Sequence, residues 1–232
     1  MSDTAELTRE AMLAFSRIAA EAASAEGSEE ALWAIPRTLP ALLGDPSAAL
    51  APRAFRYADL PAVTTAAAVF LRRPSGSFHL IAAPVNFPPQ QHHELVDITL
   101  GHPGDVARTR RAMIVHDTTL HTQFVKILQA FRAGSSMFTP MLWQDTYLGV
   151  IICANAARIS FRERDLAIQT AFAGLASALF VAHGGPTWLR DHRHNGAAPA
   201  VEGQLTSLRW AQDAAGAATP RNGGRGRAAA PR

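Results

Sequence analysis

Apolar residues recur at helical spacing at both ends of the chain, and in short continuous runs between them. This predicts helices flanking a block of strands. Leu7, Ala11, Phe15, Ile18 and Ala22 step by four and three and make one stripe, with Asp3 and Glu6 spaced as a capping box before it. Glu26-Gly27-Ser28 closes this helix and opens a second. There Glu29 and Glu30 suit the positive end of the helix dipole, and Leu32 and Trp33 face inward. Pro36 predicts a kink or a restart, and Gly44-Asp45-Pro46 a stop. Residues 45–61 are proline-rich and unpatterned and read as a connecting loop. Residues 63–71 and 78–85 read as strands joined by Arg72-Arg73-Pro74-Ser75-Gly76 into a hairpin.

An irregular stretch, 86–104, holds His92-His93 and Gly101-His102-Pro103-Gly104. A short helix is expected over 105–111 and a short strand over 112–116. Residues 122–132 predict a helix, with Phe124, Ile127, Leu128 and Phe131 on one face. Residues 135–143 and 147–154 predict a second hairpin about Gln144-Asp145-Thr146. Ser160-Phe161-Arg162-Glu163 reads as a capping box before the stripe Ile168, Phe172, Leu175, Leu179 and Ala182, which Gly184-Gly185-Pro186 ends. Three parts follow: an amphipathic helix over 1–27, a main domain over 28–185 that includes a C-terminal helix at 161–183, and a flexible Arg/Ala/Gly-rich tail over 186–232. The tail has one short helical pattern, at 205–211.

Composition adds limits. The 232 residues are 48% hydrophobic but only 7% aromatic, so aliphatic side chains and alanine do most of the packing. Cys153 is the only cysteine, which rules out an intrachain disulfide and a cysteine-based zinc site within one chain. With no basic-then-apolar start and no long uncharged apolar window, the expectation is a cytoplasmic chain without a signal or a membrane span. The net charge is only +3, and Lys126 is the only lysine. Such an arginine bias reflects a GC-rich bacterial coding sequence better than a nucleic-acid partner. The tail arginines Arg221, Arg225, Arg227 and Arg232 lack interleaved aromatics and read as a solvated tail.

The order of elements, and several strings within it, resembles the GAF domain family. The strings are Gly101-His102-Pro103-Gly104-Asp105-Val106-Ala107, Met113-Ile114-Val115-His116-Asp117, Ser136-Met137-Phe138-Thr139-Pro140-Met141, Leu148-Gly149-Val150-Ile151-Ile152, and Phe161 with Asp165-Leu166. The resemblance spans roughly residues 5–183 and departs from the family pattern by one missing spacer before Pro140. It implies an α+β sandwich: an antiparallel sheet of five to six strands, with the terminal helices on one face and a lid and pocket on the other. It also implies a sensor of a small molecule or partner, acting in trans on a signalling partner and pairing as a homodimer through its terminal helices. Haem or another small ligand fits that implication. Covalent bilin attachment does not, because Cys153 lies in neither the lid nor the segment before it. Free methionine sulfoxide reduction, which one branch of the family performs with several cysteines, lacks a resolving partner here.

On this reading His102, His116, Asp117, Phe124, Phe138 and Trp143 are the ligand-binding candidates. No catalytic set is assigned. His116-Asp117 at a strand end reads either as an acid–base pair or as a capping aspartate beside an exposed histidine. The former makes the chain an enzyme, the latter leaves it a binding module, and a self-filled pocket makes it a structural dimerisation module. His92, His93, His102, His116 and His121 show no pair at zinc-site spacing and no completing carboxylate, so no metal site is assigned.

Overall fold

The computed structural model describes residues 3–55, 63–122 and 124–192. The expected cap at Asp3, the helical pattern at 205–211 and the tail arginines lie outside the described side chains.

Six antiparallel strands form one sheet: β1 (Thr65–Arg72), β2 (Phe78–Val85), β3 (Leu95–Asp97), β4 (Met113–Val115), β5 (Ser135–Trp143) and β6 (Thr146–Asn155). Their order is β3-β2-β1-β6-β5-β4. The two hairpins appear as the sequence patterns predict, with Trp143 opposite Thr146 across the second turn, where Gln144 adopts φ 51°. β3 was not read from the sequence. It falls inside the irregular 86–104 stretch and pairs with β2 through only three residues.

The sheet is covered on both faces, which is why β1 reads as an unbroken apolar run rather than an alternating one. Ala67, Val69, Leu71, Leu80, Ile151 and Cys153 belong to one core, shared with α1 (Asp3–Ala23), α2 (Ser28–Leu42), α4 (Glu163–Ala182) and α5 (Gly185–Asp191). Ala68, Phe70, Ile81, Val150 and Ile152 belong to the other, under α3 (Gly101–Thr109). The terminal helices therefore share one face of the sheet. Two glycines permit close approach. A Cβ on Gly104 would overlap the backbone of Thr99, and one on Gly149 would overlap the carbonyl of Phe70.

Several local expectations are corrected. The 45–61 loop includes a 3-10 turn, Pro46–Leu50, capped by Asp45. α2 runs through both Pro36 and Pro40, because Leu32, Ile35 and Leu39 are fully buried against the sheet and this packing outweighs the lost helical hydrogen bonds. α4 is capped by Arg162 and Asp165, whose carboxylate accepts the Arg162 N–H at 2.7 Å. Ser160, the expected cap, is buried and donates to the carbonyl of Ala157 instead. α4 also has the length and apolar content of a membrane span, which the sequence reading had not assigned. Phe172, Ala173, Ala176, Ser177 and Phe180 bury its inner face in the fold.

The largest correction concerns residues 122–132. They form no helix. Leu128 and Phe131 are buried against Ala66, Ala154 and Ala156, with Phe124 half-buried beside them. The buried side chain of Gln91 substitutes for helical hydrogen bonding here. It donates to the carbonyl of Ile127 at 2.9 Å and accepts the N–H of Gln129 at 2.9 Å. Thr118 ties down the far end through the Ala133 carbonyl and the Gly134 carbonyl.

Candidate functional site

Two concavities lie on the sheet face opposite the terminal helices. The first is a cavity of about 40 Å³ beneath the 118–134 cover. Its walls include Phe70, His102, Phe124, Leu128, Phe138 and Ile152. His102, on the first turn of α3, stacks on Phe138 with ring centroids 5.5 Å apart and meets Phe124 at 5.8 Å. Its Nε2 is 3.4 Å from His121 Nδ1. Burial, then the neighbouring His121, hold the His102 imidazole below its ordinary pKa, against a small opposing pull from Asp105. The ring is therefore neutral at pH 7 and packs as an aromatic plate. A haem needs several hundred cubic ångströms. It does not fit this space, and the one imidazole that lines it is already engaged.

Three of the expected ligand-binding residues, His102, Phe124 and Phe138, thus come together. The others stand apart. His116 is exposed at the end of β4, and its carbonyl accepts the Ile159 N–H. Asp117 caps the next turn, accepting the N–H and hydroxyl of Thr119 at 2.9 and 2.6 Å and pairing with Arg158 at 3.3 Å. Burial raises its pKa, but those hydrogen bonds and the Arg158 charge outweigh this and hold the carboxyl below its usual range. A carboxylate that would orient an imidazole is thus committed elsewhere. Trp143 is 41% exposed on the β5–β6 turn. Cys153 is buried, and burial with the nearby Asp165 charge pushes its thiol up to about 12, so almost no thiolate exists at neutral pH.

The second concavity is an open groove of about 610 Å³ between α3, the end of β1 and the β5–β6 turn. Arg72, Arg108, Arg110, Thr99, Asp145 and Tyr147 line it. Arg110 follows α3 in a left-handed conformation, φ 58°, and lies over the Tyr147 ring at 5.4 Å while donating to the Asp145 carbonyl at 2.9 Å. Arg108 pairs with Asp105 at 2.9 Å on a largely exposed surface. Under the groove, Tyr147 Oη is 2.9 Å from Nε2 of the buried His79. None of these groove residues was singled out from the sequence. The only signal was the basic run Arg108-Thr109-Arg110-Arg111 at the end of a short helix.

The family model described as "GAF domain" matches residues 45–179. The chain belongs to the GAF domain family. Solved GAF structures share its fold at low identity. A GAF domain from an Acinetobacter phosphoenolpyruvate-protein phosphotransferase superposes with a TM-score of 0.59 at 14% identity, covering 78% of this chain and 95% of that one. The corresponding domain from Coxiella burnetii gives 0.61 at 16% identity, over 78% and 96%. Free methionine-R-sulfoxide reductase from Neisseria meningitidis, solved with its substrate, gives 0.61 at 15% identity, over 79% and 94%. No curated protein matches the sequence. At such identities the GAF fold is shared and the chemistry is not carried over. In this GAF domain the space under the cover is filled by its own Phe124, Leu128 and Phe138, and the open volume lies at the arginine groove.

Proposed function

We propose that this GAF domain is a regulatory sensing module whose ligand is a small anionic molecule held in the arginine groove. The observation that carries this reading is the groove itself. About 610 Å³ is within the range of small-molecule sites, and Arg72, Arg108 and Arg110 bring three guanidinium groups to it. Arg72 is exposed at the end of β1, which leaves its guanidinium donors accessible to an incoming anion. Tyr147 offers a ring face beside them, suited to a ligand with a planar part. The closed cover argues against a bulky prosthetic group, and the buried Cys153 argues against thiol-based reduction of a sulfoxide.

Occupancy would be relayed through the sheet to the terminal helices and to a signalling partner in trans. β6 contributes Val150 to the core under α3, and Ile151 to the core under α4. Gln169 of α4 donates to Thr139 Oγ1 at 3.0 Å and to the Ile151 carbonyl at 3.3 Å, which fastens the helix to that strand. A second reading, homodimerisation through α1, is favoured by Met12 and Leu13, which are 65% and 60% exposed.

The test is a thermal-shift and calorimetric series with nucleotides, diphosphates and small dicarboxylates. A ligand at a hundred times its Kd stabilises by about 2.7 kcal/mol, which is roughly 5–11 °C for a domain of this size. Arg72→Ala and Arg110→Ala should each abolish the shift. An equal shift in both variants, or none with any anion at millimolar concentration, refutes the assignment.

A further inference from the structure

We infer that Glu29, His92 and His93 form a binding site for a zinc-class divalent cation, on the opposite side of the sheet from the arginine groove. It is independent of the proposed function and of the lid cavity. Glu29 lies in the first turn of α2, and the two histidines follow a 3-10 turn, Pro89–Gln91, more than sixty residues later. The Glu29 carboxylate meets His92 Nε2 at 2.7 Å through Oε1, and His93 Nε2 at 2.8 Å through Oε2. One ligand atom from each of the three lies within 4.8 Å of the others.

This convergence is built by the backbone. Side chains of consecutive residues in extended chain point apart. Here His93 takes φ 66°, a left-handed conformation uncommon for a non-glycine residue, and the two rings lie 3.9 Å apart with both Nε2 atoms on one carboxylate. The His93 N–H donates to the Ile81 carbonyl at 2.9 Å, which pins that conformation onto β2. The carboxylate is itself oriented from behind. The N–H of Ala83, another left-handed residue at φ 46°, reaches Glu29 Oε1 at 3.3 Å. An outer partner of this kind is what fixes a metal-binding carboxylate.

The donor set selects the metal. Two imidazoles and one carboxylate suit zinc and its neighbours in the first transition row, and not magnesium or calcium, which prefer all-oxygen shells. Zinc bonds of about 2.0–2.1 Å at tetrahedral angles place ligand atoms about 3.3 Å apart. The observed carboxylate–imidazole separations of 2.7–3.0 Å need to widen by only a few tenths of an ångström, and the two imidazole ligand atoms lie within 4.8 Å of each other. Trp33 stands edge-on to His92 at 5.9 Å, and a further imidazole, His192, stands edge-on to His93 at 4.7 Å. His192 directly follows α5. A bound cation would staple the start of α2 to the loop before β3, next to the end of α5.

The experiment uses the full chain purified without a histidine tag and freed of metal with EDTA. Calorimetric titration with zinc, and cobalt absorption as a reporter of coordination, should show one tight equivalent and a rise in melting temperature. Glu29→Gln, His92→Ala and His93→Ala should each weaken binding by more than the roughly 10–100-fold that loss of an outer partner costs. His92 is partly exposed, so its variant keeps the fold, and circular dichroism checks each protein. His121→Ala, which alters the lid imidazole pair instead, should bind as the wild type does. Absence of a stoichiometric equivalent in the wild type would show the cluster to be hydrogen-bonded only. Unchanged binding in folded His92→Ala and His93→Ala would equally overturn the site.

Discussion

His79 gives the fold a defined sensitivity to acid. It sits on β2 with no exposed surface, its ring 6.2 Å from that of Phe70 and its Nε2 hydrogen-bonded to the Tyr147 hydroxyl at 2.9 Å. Its Nδ1 is buried without a partner. Burial foremost, then the positive charge of Arg72, lower its pKa from 6.5 to about 4, with Asp97 pulling weakly the other way. Between pH 6.5 and 4 the unfolded chain takes up a proton at this residue and the native protein does not. Stability is therefore whole above pH 6.5 and falls as the pH drops through that window. The limit below pH 4 is about 3.4 kcal/mol, and the loss already reached at pH 5 is about 2 kcal/mol. Urea unfolding at pH 8 and pH 5 measures it. The comparison protein is the double variant His79→Leu with Tyr147→Phe, which leaves neither polar partner stranded in the core. His102 and His192 have lowered pKa values as well and remain in both proteins, so the difference between the two slopes isolates His79. The wild type should lose about 2 kcal/mol more than the double variant. Equal losses would refute the burial argument.

Other expectations follow from the same packing. Gln91→Ala strands the Ile127 carbonyl and the Gln129 N–H, so it should cost about 1–3 kcal/mol and speed amide exchange selectively across 124–132; unchanged exchange there would mean Gln91 does not hold the cover. Phe172→Ala removes a fully buried ring from the helix-face core and should cost about 3–5 kcal/mol in denaturant unfolding. Asp165→Ala removes the acceptor for the Arg162 N–H at the start of α4 and should cost about 0.5–2 kcal/mol, with a loss below the lower figure counting against the cap. Cys153 should resist thiol reagents in the native protein and react on unfolding; rapid native reaction at pH 8 would contradict its burial.

Local pattern carried much of the architecture. The stripe from Leu7 to Ala22 is a property of one helix, and a hairpin such as β5–β6 is a property of two adjacent runs and their turn. Such elements are legible because the residues that define them are neighbours in sequence. The ordered strings from Gly101 to Leu166 identified the family for the same reason. The spacing of Phe124, Ile127, Leu128 and Phe131 misled because any chain pressed onto an apolar sheet face can bury such residues. A helix also needs its backbone hydrogen bonds, and here a side chain from residue 91 took two of them. The stripe on α4 was likewise read off-centre, since Asp165 and Gln169 are buried through bonds to other elements that periodicity does not register, and Ser177 is buried with its hydroxyl on the Ala173 carbonyl of the same helix. Of the site, the sequence supplied His102, Phe124 and Phe138 but not the groove. Arg72, Arg110 and Tyr147 lie on three elements, and only strand register and the left-handed end of α3 bring them together. The meeting of Glu29 with His92 and His93 has the same origin. Residue types and local periodicity settle which elements form, whereas contacts across sixty residues depend on how the sheet stacks its neighbours, which no short window contains.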